Sequence, residues 1–146
     1  MSLLKWPSVS VVGSRNASEE ALKRAKKLCR LLVQQQVVIV SGLARGIDAM
    51  AHRTAIESGG RTIAVLGTAI DNYYPTEHEA LQKELMTQHL VISQFAPGTP
   101  IRRTNFPQRN RTMALISDAT VIVEAGETSG TLSQGWEALR LGRPLF

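Results

Sequence analysis

Residues 37–66 read VVIVSGLARGIDAMAHRTAIESGGRTIAVL. The apolar run Val37–Val40 stops at Ser41-Gly42, Ile47–Ser58 has the length of a helix and ends at Gly59-Gly60, and Thr62–Leu66 is apolar again. Short Val/Ile runs without polar alternation are strands buried on both faces, and two of them joined through a helix lie parallel. The same unit recurs on either side. Upstream, Val9–Val12 is closed by Gly13, and Ala17–Gln36 carries Leu22, Ala25, Leu28 and Leu32 at helical spacing with basic residues between them. Asn16 followed by Glu19 has the form of a capping box, which starts this helix just after Gly13-Ser14-Arg15. Downstream the pattern predicts a helix over 77–88, a strand over 90–94, a helix over 107–117, a strand over 120–124 and a helix over 130–141. Five βα repeats define an α/β fold: a doubly wound, mostly parallel, Rossmann-like sheet in three layers, α/β/α, forming one domain over 1–146. Lys23, Lys26, Lys27 and Arg30 then form the outward, solvated face of the first helix.

Composition narrows the class. At 146 residues and 43% hydrophobic content the chain has room for a real core. No run of about 18 apolar residues is present, so no membrane span is expected. The run Val9–Val12 is too short to be the core of a signal peptide. Cys29 stands alone, which leaves no intramolecular disulfide and no multi-cysteine zinc site and points to a reducing cytoplasm. The formal charge of +5 and pI near 9.9 favour an anionic partner.

Ligands of such sheets gather at the carboxyl ends of the strands, at the topological switch point. Every unusual loop here lies at that edge: Gly13-Ser14-Arg15, then Ser41-Gly42-Leu43-Ala44-Arg45-Gly46, then 67–75, then an arginine-rich segment, then 126–130 with Ser129 and Gly130. Glycines let backbone N–H groups approach an anion, and helix N-termini add partial positive charge, so these loops are read as a phosphate cradle. The arginine-rich segment, RRTNFPQRNR over 102–111, sets Arg102, Arg103, Arg109 and Arg111 around Phe106. It falls in a stretch from Leu85 to Ser117 without Asp or Glu. Guanidinium forks match phosphate oxygens in pairs, and an aromatic among them stacks on any base.

Other chemistries lack their signatures. The first turn has no G-x-G-x-x-G and the second strand ends in Ser41 rather than an acid, which argues against a dinucleotide site, and there is no P-loop motif. Ser129 sits in no nucleophile elbow. Asp48 and His52 are one helical turn apart, but two ligands without a third make a weak metal site, and internal hydrogen bonds are the favoured reading. No cofactor and no metal are expected.

Six motifs in order, Gly13-Ser14-Arg15, SGLARGIDAMAH over 41–52, AVLGTAID with Tyr74-Pro75 over 64–75, PGTP over 97–100, FPQRNR over 106–111 and VIVEA with Ser129-Gly130, resemble the DNA-processing protein A family, DprA or Smf. The resemblance covers nearly the whole chain. It implies a Rossmann-like domain that binds single-stranded DNA without sequence preference, protects incoming strands in natural transformation and helps load the RecA recombinase, as a homodimer and without nucleotide hydrolysis. Carried onto this chain, it implies that Arg15 and Ser14 hold a backbone phosphate and that Gly42 and Ala44-Arg45-Gly46 complete the anion pocket through their amides. Arg103 takes the place of a basic DNA contact and Phe106 that of the stacking aromatic, its alternative being a staple under the following helix. Arg109 and Arg111 either line the groove or brace it against Glu124 and Asp118, and Asn110 fixes the loop through the backbone.

Two departures qualify the resemblance. Ser117-Asp118-Ala119 and Gly130-Thr131 echo the phosphoribohydrolase family called Lonely Guy, whose signature glutamate is here Gln134, with Glu137 one turn further on. Cleavage of a nucleoside monophosphate's N-glycosidic bond is therefore the runner-up, weakened because an amide cannot act as a carboxylate. The flanking helical and winged-helix-like domains common in the family do not fit in 146 residues, and Arg143-Pro144-Leu145-Phe146 reads as the start of a sixth strand. A truncated domain or a minimal homologue is the expectation drawn from that, and if the dimer surface lies partly on the missing elements the domain is expected to be monomeric and weak in DNA binding.

Overall fold

A computed structural model describes residues 3–126 and 130–146. Its strands are β1 (Ser8–Val12), β2 (Val38–Ser41), β3 (Thr62–Leu66), β4 (Leu90–Ser93) and β5 (Ala119–Ile122). The helices are α1 (Glu19–Gln34), α2 (Ile47–Glu57), α3 (Glu79–Gln88), α4 (Asn105–Ile116) and α5 (Gly130–Arg140), with a 3-10 turn at Thr76–His78 leading into α3. All neighbouring strands pair in parallel, in the order β4-β3-β2-β1-β5. The α/β reading from the apolar runs therefore holds. Beyond β5, Leu145 pairs in parallel with Thr120, and the Phe146 N–H donates to the Thr120 carbonyl at 2.9 Å.

Residue alternation sends each strand's side chains into two cores. Val11 of β1 and Ile39 of β2 meet Ala21, Ala25 and Cys29 of α1 and Ile47, Ala51 and Ala55 of α2. Ala64 and Leu66 of β3 meet Leu81 and Leu85 of α3. From the opposite face, Val12, Val38, Val40, Ile63 and Val65 meet Met113 of α4. Small alanines on α1 and α2 let these helices lie close to the sheet, which holds the loops at its upper edge in fixed positions.

One local expectation is corrected. The N-cap of α1 is Ser18, whose Oγ accepts from the Ala21 N–H at 3.1 Å, and Asn16 is not the cap. Glu124, beyond β5, accepts from both the Ser18 N–H at 3.0 Å and the Ser18 hydroxyl at 2.8 Å. A carboxylate thus already complements the positive end of α1.

The Asp48 and His52 pair resolves into two separate internal roles. Thr62 Oγ1 donates to the Ile39 carbonyl at 2.8 Å, so its contact with His52 Nδ1 at 2.7 Å is one it accepts. Burial holds this imidazole neutral by pushing its pKa down to about 3. Asp48 belongs to the upper edge of the sheet.

Candidate nucleic-acid interface

An open cleft lies over the carboxyl ends of β1, β2 and β3. Gly42, Leu66 and Gly67 form its floor, and Arg15, Tyr74 and Phe106 stand around it. Its place differs from the expected one, because the strand order reverses between β1 and β5 and the cleft lies on the other side of β1. Ser129, expected in the rim, lies outside the described residues. Gly130 opens α5.

The amides read as a phosphate cradle are largely engaged by the protein itself. Asp48, in the first turn of α2, is buried beneath the loops that follow β1 and β2. Its Oδ2 accepts from the Gly42 N–H at 3.1 Å, and the backbone N–H groups of Gly42, Ala44 and Gly13 all favour its charged form. Burial nonetheless raises its pKa, offset by Arg109 and then by those amides. The Ser14 N–H donates to the Glu124 carbonyl at 2.7 Å, and its Oγ accepts from the Asn16 N–H at 3.2 Å. Ser41 is fully buried with its hydroxyl donating to the Val11 carbonyl at 2.7 Å. Gly46 adopts φ +76°, and a Cβ there would run into the Ser14 carbonyl, so only glycine lets the two loops meet. Gly13, Gly42 and Ser41 are therefore engaged within the protein and are not free donors to a ligand, a correction to the cradle reading.

The arginines divide into two groups. Arg15 is exposed, its guanidinium 5.9 Å from the centre of the Phe106 ring. Arg102, Arg103 and Arg111 are exposed in and beside the first turns of α4, outside the lining of the cleft. Arg109 is buried: its Nη1 donates to the Gly42 carbonyl at 2.7 Å and the Val65 carbonyl at 3.2 Å, and its Nε to Asn110 Oδ1 at 3.0 Å. Burial lowers its pKa and the Asp48 charge raises it. Arg109 combines the two expected roles: it is part of the cleft lining and braces it, against Asp48 and not against Glu124 or Asp118. Asp118 is held instead by the Ser8 N–H at 2.9 Å. Arg45 is exposed and doubly bonded to Glu77, through Nε and, at 3.1 Å, through Nη2. Those bonds raise the pKa of Arg45 and lower that of Glu77. Its side chain thus faces a carboxylate on the rim.

Phe106 is half-buried on the second position of α4. Its ring lies on Gly67, where an added Cβ would come within 2.5 Å of Cδ1, so it packs across to the loop after β3 and does not staple its own helix. Arg109 lies 5.5 Å from the ring centre, so the ring has cationic neighbours in both Arg15 and Arg109. Among the described residues no acidic side chain lines the cleft. Sequence reasoning missed Asp48 as the organiser of the floor and Gly67 as the seat of Phe106. The motif AVLGTAID held the second of these, as a glycine directly after a buried strand.

The residues of the runner-up chemistry lie elsewhere. Gln134 is buried, with Nε2 3.4 Å from Thr120 Oγ1, and Glu137 pairs with Arg140 at 3.1 Å. Neither lines the cleft. Among the described residues no three His, Cys, Asp or Glu side chains gather as a metal site, and no helix is long and apolar enough to cross a membrane.

A parallel sheet in the order β4-β3-β2-β1-β5 with a cationic, aromatic cleft at its carboxyl edge defines a Rossmann-like domain with an electropositive cleft. The chain matches the DNA recombination-mediator protein A model over residues 1–146, and it belongs to that family. It is 42% identical over 146 residues to the DNA processing protein DprA of Streptococcus pneumoniae, covering 100% of this chain and 51% of that protein. The X-ray structure of the pneumococcal protein superimposes with a TM-score of 0.94 over 99% of this chain and 50% of that one. A structure of DNA processing protein A from Helicobacter pylori, described for its single-stranded DNA binding mode, gives a TM-score of 0.90 at 31% identity, over 99% of this chain and 66% of that one. The chain spans about half the length of the pneumococcal and Bacillus subtilis relatives it matches.

Proposed function

We propose that the cleft binds single-stranded DNA without sequence preference, and that the protein serves in the cytoplasm to protect incoming strands during transformation and to help load RecA on them, with the homodimer a property of the full-length protein. The observation that carries the strand-binding reading is Phe106, held half-open in the cleft with the Arg15 guanidinium 5.9 Å from its centre and no acid in the lining among the described residues. A ring so placed takes a base of any identity while the cation takes its phosphate. The bound anion meets side chains more than amides, since Asp48 holds the amides of the floor. Membership of the recombination-mediator family supports the wider role. No catalytic step is assigned to the cleft.

The test is fluorescence anisotropy of a labelled oligo-dT about 35 nucleotides long at about 50 and 200 mM salt, with AMP as competitor. Salt-sensitive binding that millimolar AMP barely disturbs is the expected result. Absence of strand binding, with AMP converted to adenine, overturns the reading in favour of a phosphoribohydrolase. Arg15→Ala removes one phosphate contact, so the slope of log K against log salt becomes shallower by about 0.7.

The Arg45 and Glu77 pair gives a result of opposite sign. Glu77 occupies the fork that a phosphate would take, so Glu77→Gln releases Arg45 to the strand. The variant binds oligo-dT about two- to five-fold more tightly at low salt, with a salt slope steeper by about 0.7. Weaker binding by Glu77→Gln would mean that the pair supports the loop and does not compete with phosphate.

A further inference from the structure

We propose a second nucleobase site on Tyr74, beside the one on Phe106, so that the cleft takes two bases of the strand side by side; this rests on the strand-binding reading above. Tyr74 stands at the mouth of the cleft with 46% of its surface exposed, although it is a large aromatic residue in a well-bonded loop. Its neighbour Tyr73 is committed to the protein, with the Lys83 ammonium 5.3 Å from the ring centre. The loop is fixed in place beneath it. The Asn72 N–H donates to the Ala69 carbonyl at 3.0 Å, the buried Gln82 donates to the carbonyls of Asn72 at 3.0 Å and Ile70 at 3.3 Å, and the Ser93 hydroxyl donates to the Thr68 carbonyl at 2.6 Å. A ring held this way loses little freedom when a ligand settles on it, which favours binding.

The ring geometry decides between one base and two. The centres of Tyr74 and Phe106 are 5.8 Å apart and their planes are tilted by 50°. A base sandwiched between two rings needs about 3.5 Å on each side, roughly 7 Å in all, and parallel planes. Neither condition is met, so the pair does not clamp a single base. The tilt leaves each ring a face of its own, and successive bases of a flexible strand are what fits two adjoining faces.

The experiment compares the parent protein with Tyr74→Ala, Tyr74→Phe and Phe106→Ala on two labelled strands of equal length, oligo-dT and an abasic deoxyribose-phosphate strand. Tyr74→Ala is expected to weaken oligo-dT binding roughly 5- to 150-fold, the value of one base stacked on an aromatic ring, with the salt slope unchanged. Tyr74→Phe should bind oligo-dT as the parent does, and the abasic strand should not distinguish Tyr74→Ala from the parent. Three results overturn the proposal. Tyr74→Ala equal to the parent on oligo-dT, while Phe106→Ala is weakened, removes the second site and leaves strand binding standing. An equal loss on both strands means that Tyr74 shapes the loop and touches no base. Failure of the parent protein to bind either strand removes the strand-binding reading itself, and the second site with it.

Discussion

Arg109→Ala should unfold about 3 to 5 kcal/mol more easily than the parent, a fall of roughly 10 to 20 °C in melting temperature, measured by urea and thermal denaturation. The side chain joins three elements. It bonds the carbonyls of Gly42 after β2 and Val65 in β3 while standing on α4, and its charge favours the buried Asp48 carboxylate. Alanine leaves two carbonyls without this donor and a buried carboxylate without its cation, the most costly way to break such an arrangement. Arg109→Lys should recover only part of the loss, because a point charge cannot reproduce a planar fork with separate donors. A variant of parental stability with weakened DNA binding would place Arg109 on the strand and refute the bracing role.

The second large effect falls on binding. Phe106→Ala should cost about 1 to 3 kcal/mol of single-strand affinity, with the salt slope intact, in the same anisotropy titration. Stacking involves no counterion release, so its loss shifts the binding curve equally at each salt concentration, whereas loss of Arg15 changes the slope. The folded state should tolerate the change, since the ring is only half-buried and rests on Gly67. An affinity equal to the parent's would show that the base is not carried by this ring.

The fold was legible because β1, β2 and β3 are runs of Val, Ile and Leu that few other structures accommodate, and because the turns between them are marked by glycine. Helix ends were less so. Asn16 and Ser18 are both good caps by type, and the choice between them is made by Glu124, 106 residues from Ser18 in sequence. The site was legible in its composition and hidden in its division of labour. The sequence sets Arg103 and Arg109 six positions apart in one basic segment, yet one is exposed and the other buried, and only the approach of Gly42 and Val65 to α4 separates them. The same holds for Asp48. Its spacing from His52 favoured internal hydrogen bonds over a metal pair, but spacing does not name the partners, which are backbone amides of the loops after β1 and β2. Strand order, which locates the cleft relative to β1, is set by long-range pairing that local pattern does not encode.

Asp48 acts as a resident counter-ion, and this bears on selectivity between small and large anions. With its carboxylate already held by the amides of Gly13, Gly42 and Ala44, those three donors are not vacant for a free sulfate or orthophosphate. What remains are dispersed contacts from single side chains, each weak alone. On the proposed strand-binding reading, a mononucleotide would engage one or two of them and dissociate quickly. A polymer would engage several in succession, the covalent link between its units supplying a high effective concentration for each further contact. Discrimination in favour of the strand would then be a matter of avidity, with the carboxylate acting as a plug that denies small anions the amides it already holds.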